Sequence, residues 1–338
     1  EARRPFRGAP GVRARPGSRS AGVRGASAPT PPRTTELAFP CCHRHFRPRP
    51  PGSCSRPRRA PAAAVVGRGR RRRMEPARVP DAAAFLAFRQ QCEGDSGWQS
   101  CYGRDGLAVC IQAPPPGSDV HRLKCRIDIP DVPAETVYDV LHDIEYRRKW
   151  DTNVIDTHDI AQVAANADVG YYAWRCPKPL KNRDVVTLRS WQVQDGYHAI
   201  INFSVKHPKY PPRKDLVRAV SLLTGYLVHS TGPSSCSLTY LAQVDPKGSL
   251  PKWVVNKASQ YLAPRMLKKL HKACVKYPAW KQQHDVSMKP WLYPEQNKLP
   301  SLALSELVLQ RAASLENIDE SGLSEVKEER GDHSGSEN

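Results

Sequence analysis

Residues 1–73 contain no lysine, isoleucine, asparagine, aspartate, glutamine, tyrosine, tryptophan or methionine. They hold 19 arginines and 2 acidic residues among proline, alanine, glycine and serine, a net charge of +17. A segment so poor in large apolar side chains cannot offset the entropy of ordering its backbone. Residues 1–78 therefore read as a disordered Arg/Pro-rich extension, with Met74, the first methionine, as the expected natural start. A basic arm for RNA or an anionic membrane is the alternative, and Arg70–Arg73 has the composition of a nuclear-localisation patch. Residues 301–338 carry a net −6 and residues 74–300 a net of only +8, so most of the chain's +19 belongs to the extension. The total is a poor argument for nucleic-acid binding by the folded part, and none is expected.

Other absences narrow the class further. No run approaches the ~20 apolar residues of a membrane-spanning helix. Ala62–Val66 is the only apolar stretch ahead of the fold, too short and too closely flanked by arginine for a secretory signal. Beyond Met74 the cysteines are Cys92, Cys101, Cys110, Cys125, Cys176, Cys236 and Cys274. Their number is odd, their spacing scattered, and no C-x-x-C occurs, which speaks for reduced thiols in the cytoplasm and against a disulfide frame or a zinc site. No G-x-S-x-G frame accompanies His207, His229 and His271, and Cys176 before Pro177 reads as a packed strand residue. The expectation is a protein that is not an enzyme and needs no cofactor or metal.

What is present is one domain over residues 79–284, without internal repeats. Asp81 is a good N-cap for a short helix through Phe85 and Phe88 that ends at Gly94. Trp98–Tyr102 and Leu107–Gln112 are joined by Gly103-Arg104-Asp105-Gly106, a hairpin signal. His121–Ile129 alternates. Pro133–Asp143 has helical spacing of Val137, Val140, Leu141 and Ile144. Strand-like runs then recur at Val169–Arg175, Asp184–Val193, Tyr197–Lys206, Val217–Ser230 and Cys236–Asp245. No helix-length pattern separates them, so they predict one meandering antiparallel sheet. A long helix over Pro251–Trp280 closes the domain, with an apolar stripe from Val254 to Trp280 and a basic remainder, and Pro264 should kink it. The stripe suits ordinary core packing or a lid over a sheet-lined cavity. The class is α+β.

One constellation stands out. In Tyr146-Arg147-Arg148-Lys149-Trp150-Asp151, Arg147 can fork onto phosphate oxygens and Asp151, four residues on, can hold the guanidinium when no ligand is bound. On composition alone such a pair is usually a surface ion pair. Asp143 through Asp151 resembles, however, the signature of START domains, the StAR-related lipid-transfer modules. So do Trp174-Arg175-Cys176-Pro177, Lys181-Asn182-Arg183-Asp184-Val185 and Pro251-Lys252-Trp253-Val254-Val255-Asn256, in the same order. The likeness covers 79–284 and is nearest to the phosphatidylcholine-carrying branch.

The resemblance implies a helix-grip START fold, a curved antiparallel sheet with an N-terminal helix and a long C-terminal lid helix over a lipid tunnel. It implies a bound phospholipid, phosphatidylcholine or phosphatidylethanolamine, shuttled between membranes, with Arg147 and Asp151 at the phosphate. A lipid sensor without net transfer, or a hydrolase on the same fold, are the alternatives. The family's aromatic choline cage falls at Tyr172, Val185 and Leu222, of which only Tyr172 is aromatic. A quaternary ammonium loses cation–π attraction in such a cage, and a primary ammonium becomes more competitive.

Membrane docking is expected from the lid helix through Trp253, Lys257, Arg265, Lys268, Lys269 and Lys272, as a transient peripheral contact of a monomer. Residues 285–338 read as a linker and an acidic, disordered Ser/Glu-rich tail. Ser334 has Glu337 three residues on and Ser336 sits beside it, both suited to an acidophilic kinase, while Ser314 follows Arg311 in a weak basophilic context. Each phosphate adds about −1.5 to −2 charges. Tail phosphorylation is thus the expected off-switch for transfer.

Overall fold

Alternation of side chains along the strands separates an inner layer from an outer one. The computed structural model describes residues 75–114, 120–247, 254, 257–311, 315 and 320. Helix α1 (Ala82–Glu93) is followed by strands β1 (Gln99–Arg104), β2 (Leu107–Gln112) and β3 (Arg122–Ile129). Two short helices, α2 (Ala134–His142) and α3 (Ile144–Trp150), lead to β4 (Val154–Ala164), β5 (Ala167–Trp174), β6 (Arg183–Gln194) and β7 (Tyr197–Lys206). Then come β8 (Val217–Arg218), β9 (Val220–Gly232), β10 (Ser235–Asp245), a π-helical turn (Ala258–Leu262), helix α4 (Ala263–Lys281) and β11 (Val308–Leu309). The sheet runs β1-β2-β3-β10-β9-β7-β6-β5-β4, antiparallel along that path, with β8 added to β6 and β11 to β7.

Local chemistry sets these boundaries. Asp81 caps α1 by accepting the Ala84 N–H at 2.9 Å. The β1–β2 turn uses positive φ at Asp105 (54°) and Gly106 (68°), the paired left-handed geometry that matches strand twist. Asp143 ends α2 and caps α3 with a 2.9 Å bond from the Tyr146 N–H. Its other oxygen accepts from Tyr277 Oη at 3.0 Å and Lys281 Nζ at 3.2 Å, tying α3 to the end of α4. Tyr146 Oη adds a 2.7 Å bond to the Ala273 carbonyl.

On the inner face, Val137, Tyr138 and Leu141 of α2 pack with Leu267, Leu270 and Cys274 of α4 against Ile127, Ile200 and Leu238 of the sheet. On the outer face, Phe85, Phe88 and Cys92 of α1 cover Ala199, Ile201, Leu227 and Leu241. Gly225 is required there: a Cβ would lie 2.4 Å from the Ile200 carbonyl oxygen and 2.6 Å from the Phe88 ring.

Three expectations need correction. First, β4 was not foreseen, because three register shifts against β5 break its alternation and its polar residues fall on both faces. Second, the fold continues past 284. Trp291 stacks on His142 with ring centroids 5.6 Å apart and donates from Nε1 to Asp139 at 2.8 Å. Lys289 reaches the same carboxylate at 2.6 Å. Leu302, Leu304, Leu307 and Leu309, with Ala77, cover Val169, Val186, Leu188 and Val205 on the outer face that α1 leaves open. We call residues 285–311 the strap. Only beyond it can the acidic tail begin, and residues 75–78 are likewise part of the fold through Ala77, whose N–H donates to Leu307 at 3.2 Å. Third, Glu320 is buried and pairs with the fully buried Arg183, which a wholly disordered tail would not do. Pro264 is preceded by the π-helical turn, where the Ala263 N–H reaches back to the Ala258 carbonyl; the wider turn relieves the crowding that a proline ring imposes on the previous turn. Pro251 and Trp253 lie outside the described residues.

Candidate lipid-binding site

Between the inner face of the sheet and α4 lies a cavity of about 610 Å³. Its wall is mostly apolar, with Leu123, Cys125, Leu141 and Ile200 below and Met266, Leu267 and Leu270 above. Burial pushes the Cys125 thiol up to about 12, so it stays protonated and packs as a small apolar group. Along β6 the alternation is direct: Arg183, Val185, Thr187 and Arg189 line the cavity while Val186 and Leu188 join the outer core.

The one-turn spacing on α3 puts Arg147 and Asp151 on the same face, both on the cavity wall. Arg147 Nη1 lies 3.9 Å from Asp151 Oδ2, close enough to neutralise but too far for a hydrogen bond. Arg147 Nη2 donates to the Leu141 carbonyl at 3.0 Å, and the guanidinium sits 5.4 Å from the Trp150 ring centre. Asp151 accepts from Tyr172 Oη at 3.0 Å and from the Asn153 N–H at 3.1 Å. Arg147 is therefore held by the Leu141 carbonyl and by the neighbouring Tyr226, while both oxygens of the carboxylate beside it accept from other donors. Burial, then the Asp151 charge, raises the Tyr172 hydroxyl and keeps it a donor.

Of the cage positions, Tyr172 and the buried Val185 line the cavity. Leu222 does not. It is 42% exposed, because Gln243 pairs with Leu223 and Val244 with Ser221, leaving Leu222 as the extra residue of a bulge. Ser221 takes its place on the wall. Two tyrosines that the sequence reading passed over face the cavity: Tyr226 and Tyr240, opposed in register on β9 and β10 with ring centroids 4.9 Å apart. The available signal was strand phase, since Thr224 and Tyr226 share one inward series and Tyr240 and Ala242 another.

A second charged group, also passed over, lies on β4–β6. Arg189 donates to both oxygens of Asp168, at 2.9 and 2.5 Å, and to Asp159 Oδ1 at 3.1 Å. Burial raises the Asp159 carboxyl and Arg189 opposes that rise.

On the lid, Lys257 is half-buried at the start of the π-helical turn. Arg265 lies over the Tyr261 ring at 3.7 Å. Lys268 pairs with Asp105 at 3.3 Å, Lys269 donates to Thr152 Oγ1 at 2.6 Å, and Lys272 is exposed. The basic face is thus partly neutralised by the β1–β2 turn. Ser314, Ser334 and Ser336 lie outside the described residues. The three histidines considered for catalysis are dispersed: His207 follows β7, His229 stacks on Tyr197 at 4.2 Å, and His271 bonds Asp131 at 2.5 Å. Burial raises the Cys176 thiol, the reverse of what a nucleophile needs.

The START domain family matches residues 81–281 of this chain. START domain-containing protein 10 of Mus musculus is 62% identical over 279 residues, which span 82% of this chain and 96% of that protein. The phosphatidylcholine transfer protein of Bos taurus is 29% identical over 211 residues, 59% of this chain and 98% of the other. The crystal structure of human STARD10, 65% identical, superposes with a TM-score of 0.67 over 70% of this chain and 97% of that one.

Proposed function

The chain belongs to the START domain family, and we propose that it binds one glycerophospholipid in the cavity under α4 and carries it between membranes. The observation that carries this reading is an apolar cavity whose wall holds a guanidinium that faces its carboxylate partner at 3.9 Å, beyond hydrogen-bond range. A buried charge of this kind is costly unless a ligand completes its hydrogen bonds. A phosphodiester does so, because its oxygens match the fork of Arg147 while Asp151 keeps the guanidinium oriented. The apolar wall takes the acyl chains. Likeness to a phosphatidylcholine transfer protein supports choline lipids. Replacement of cage aromatics by Val185 and an outward Leu222 supports ethanolamine lipids beside them.

Exchange requires α4 to release the wall at a membrane, where exposed Lys272 and Arg265 favour anionic lipid. Acidophilic phosphorylation at Ser334 or Ser336, or basophilic phosphorylation at Ser314, would make the tail more negative and lower that affinity. The protein acts as a peripheral, cytoplasmic monomer in this reading.

The test is fluorescent-lipid transfer between vesicles, with native mass spectrometry of the purified chain. Arg147→Ala abolishes transfer of both headgroup classes, and Arg147→Lys restores it poorly because a point charge replaces a planar fork. A co-purified phospholipid without transfer would favour a sensor, and free fatty acid released from it a hydrolase. Normal transfer by the alanine variant rejects the phosphate assignment.

A further inference from the structure

The Arg189 group has a charge imbalance that packing does not require. One guanidinium faces two carboxylates, Asp159 and Asp168, so the group carries one negative charge more than positive. Asp168 is saturated by two bonds from Arg189 and is buried. Asp159 differs. Only its Oδ1 is engaged, by one 3.1 Å bond, and its side chain keeps 25% exposure on the cavity wall. The residue opposite it on β5 is Gly170, so no side chain projects over the carboxylate from that position. A Cβ at Gly170 would come within 3.5 Å of Oδ1.

The cavity therefore presents two polar stations to one ligand. Arg147 with Asp151 suits an anion, and Asp159 presents a carboxylate oxygen on the wall of the same cavity. Both stations line the one cavity. A zwitterionic headgroup has this pattern, an anionic phosphate followed two carbons later by a cation. Resting on the phospholipid reading above, we propose that Asp159 is the acceptor for a primary ammonium in the ligand headgroup, and so the residue that admits ethanolamine lipids. An ammonium with N–H donors forms charge-assisted bonds with the free oxygen, whereas three methyl groups on a quaternary nitrogen hold the charge away and donate nothing. An anionic headgroup without an amine would meet the excess negative charge and be disfavoured.

The experiment compares transfer of ethanolamine and choline lipids with identical acyl chains by the full chain and by Asp159→Asn. The substitution keeps shape and the Arg189 bond but removes the charge. The ethanolamine rate is expected to fall about tenfold, the loss of one charge-assisted hydrogen bond, and the choline rate by less than about threefold. Unchanged rates, or an equal fall of both in a variant with unaltered circular dichroism, overturn the proposal. Should the variant fail to fold, the unmodified protein supplies the second measurement. Transfer of mono-, di- and trimethylated ethanolamine lipids should decline with each N–H lost, and a flat series overturns the proposal. Glycerophosphoethanolamine, which has the headgroup without acyl chains, distinguishes a lipid from a free amine. It should not displace bound lipid at millimolar concentration, and displacement overturns the lipid assignment. If Arg147→Ala leaves transfer intact, the phospholipid reading fails by itself, separately from any result at Asp159.

Discussion

Val185 and Leu222 occupy equivalent places in the family's cage pattern but face opposite ways, and that difference is testable. Val185 lies on the wall that Tyr172 shares, so Val185→Phe adds an aromatic face there. A new cation–π contact contributes about 0.5–1 kcal/mol, which predicts a two- to fivefold rise in the choline-to-ethanolamine ratio in a competition assay. Leu222→Phe should leave that ratio unchanged, since the bulge turns residue 222 outward. Equal effects from the two would mean that the bulge does not persist in solution. The pair Arg147 and Asp151 was legible from its motif and helical spacing. Asp159 was not, because nothing in the sequence sets it beside Arg189, thirty residues later on a strand two places away. Such partners come together only through sheet register.

Among the elements, α4 was readable from its apolar stripe and α1 from its cap, both local signals. The strand β4 was not, since its bulges scatter the period on which strand recognition depends. The lid also separates two lysines that look alike in the sequence. Both are exposed, but Lys268 is paired with Asp105. A well-placed cation near an anionic surface contributes about 1 kcal/mol. Lys272→Ala is therefore predicted to slow transfer to anionic vesicles about fivefold, and Lys268→Ala less than twofold, because half of its charge is already answered. On neutral vesicles both should transfer at the unaltered rate, and added salt should narrow the gap between anionic and neutral. Rates measured against the anionic fraction of the vesicles check the ordering.

For the molecule as a whole, the ligand-binding core and the stable fold have different boundaries. The strap completes both layers: Leu307 is fully buried on the outer face, and Trp291 covers His142 of α2 beside the inner core. The sequence reading stopped at residue 284 because short extended segments with isolated leucines have no period of their own. They are ordered by the surface they cover. A chain ending at Gln283 loses Trp291 and the four strap leucines. At about 1.5–3 kcal/mol per buried side chain, discounted for their partial exposure, that loss predicts a Tm about 10–20 °C lower by calorimetry. A chain ending at Ser324 keeps the strap and Glu320, so its Tm should be unchanged. It lacks Ser334 and Ser336, so its transfer should be insensitive to an acidophilic kinase that slows the full chain through those two sites.

Residues 75–76 and 308–311 run side by side. The Leu309 N–H donates to the Glu75 carbonyl at 3.0 Å, Pro76 bridges Val308, and the side chains of Arg311 and Glu75 pair. A short peptide joining residue 311 to residue 75 would close the chain into a ring with the β11–β7 pairing intact, though without the Glu320 partner of Arg183. New ends could then be cut in the chain between β10 and the lid. Such a circular permutant would free one end of the lid from covalent attachment to β10 while its other end stays held by Asp143, converting a tethered flap into one anchored on a single side.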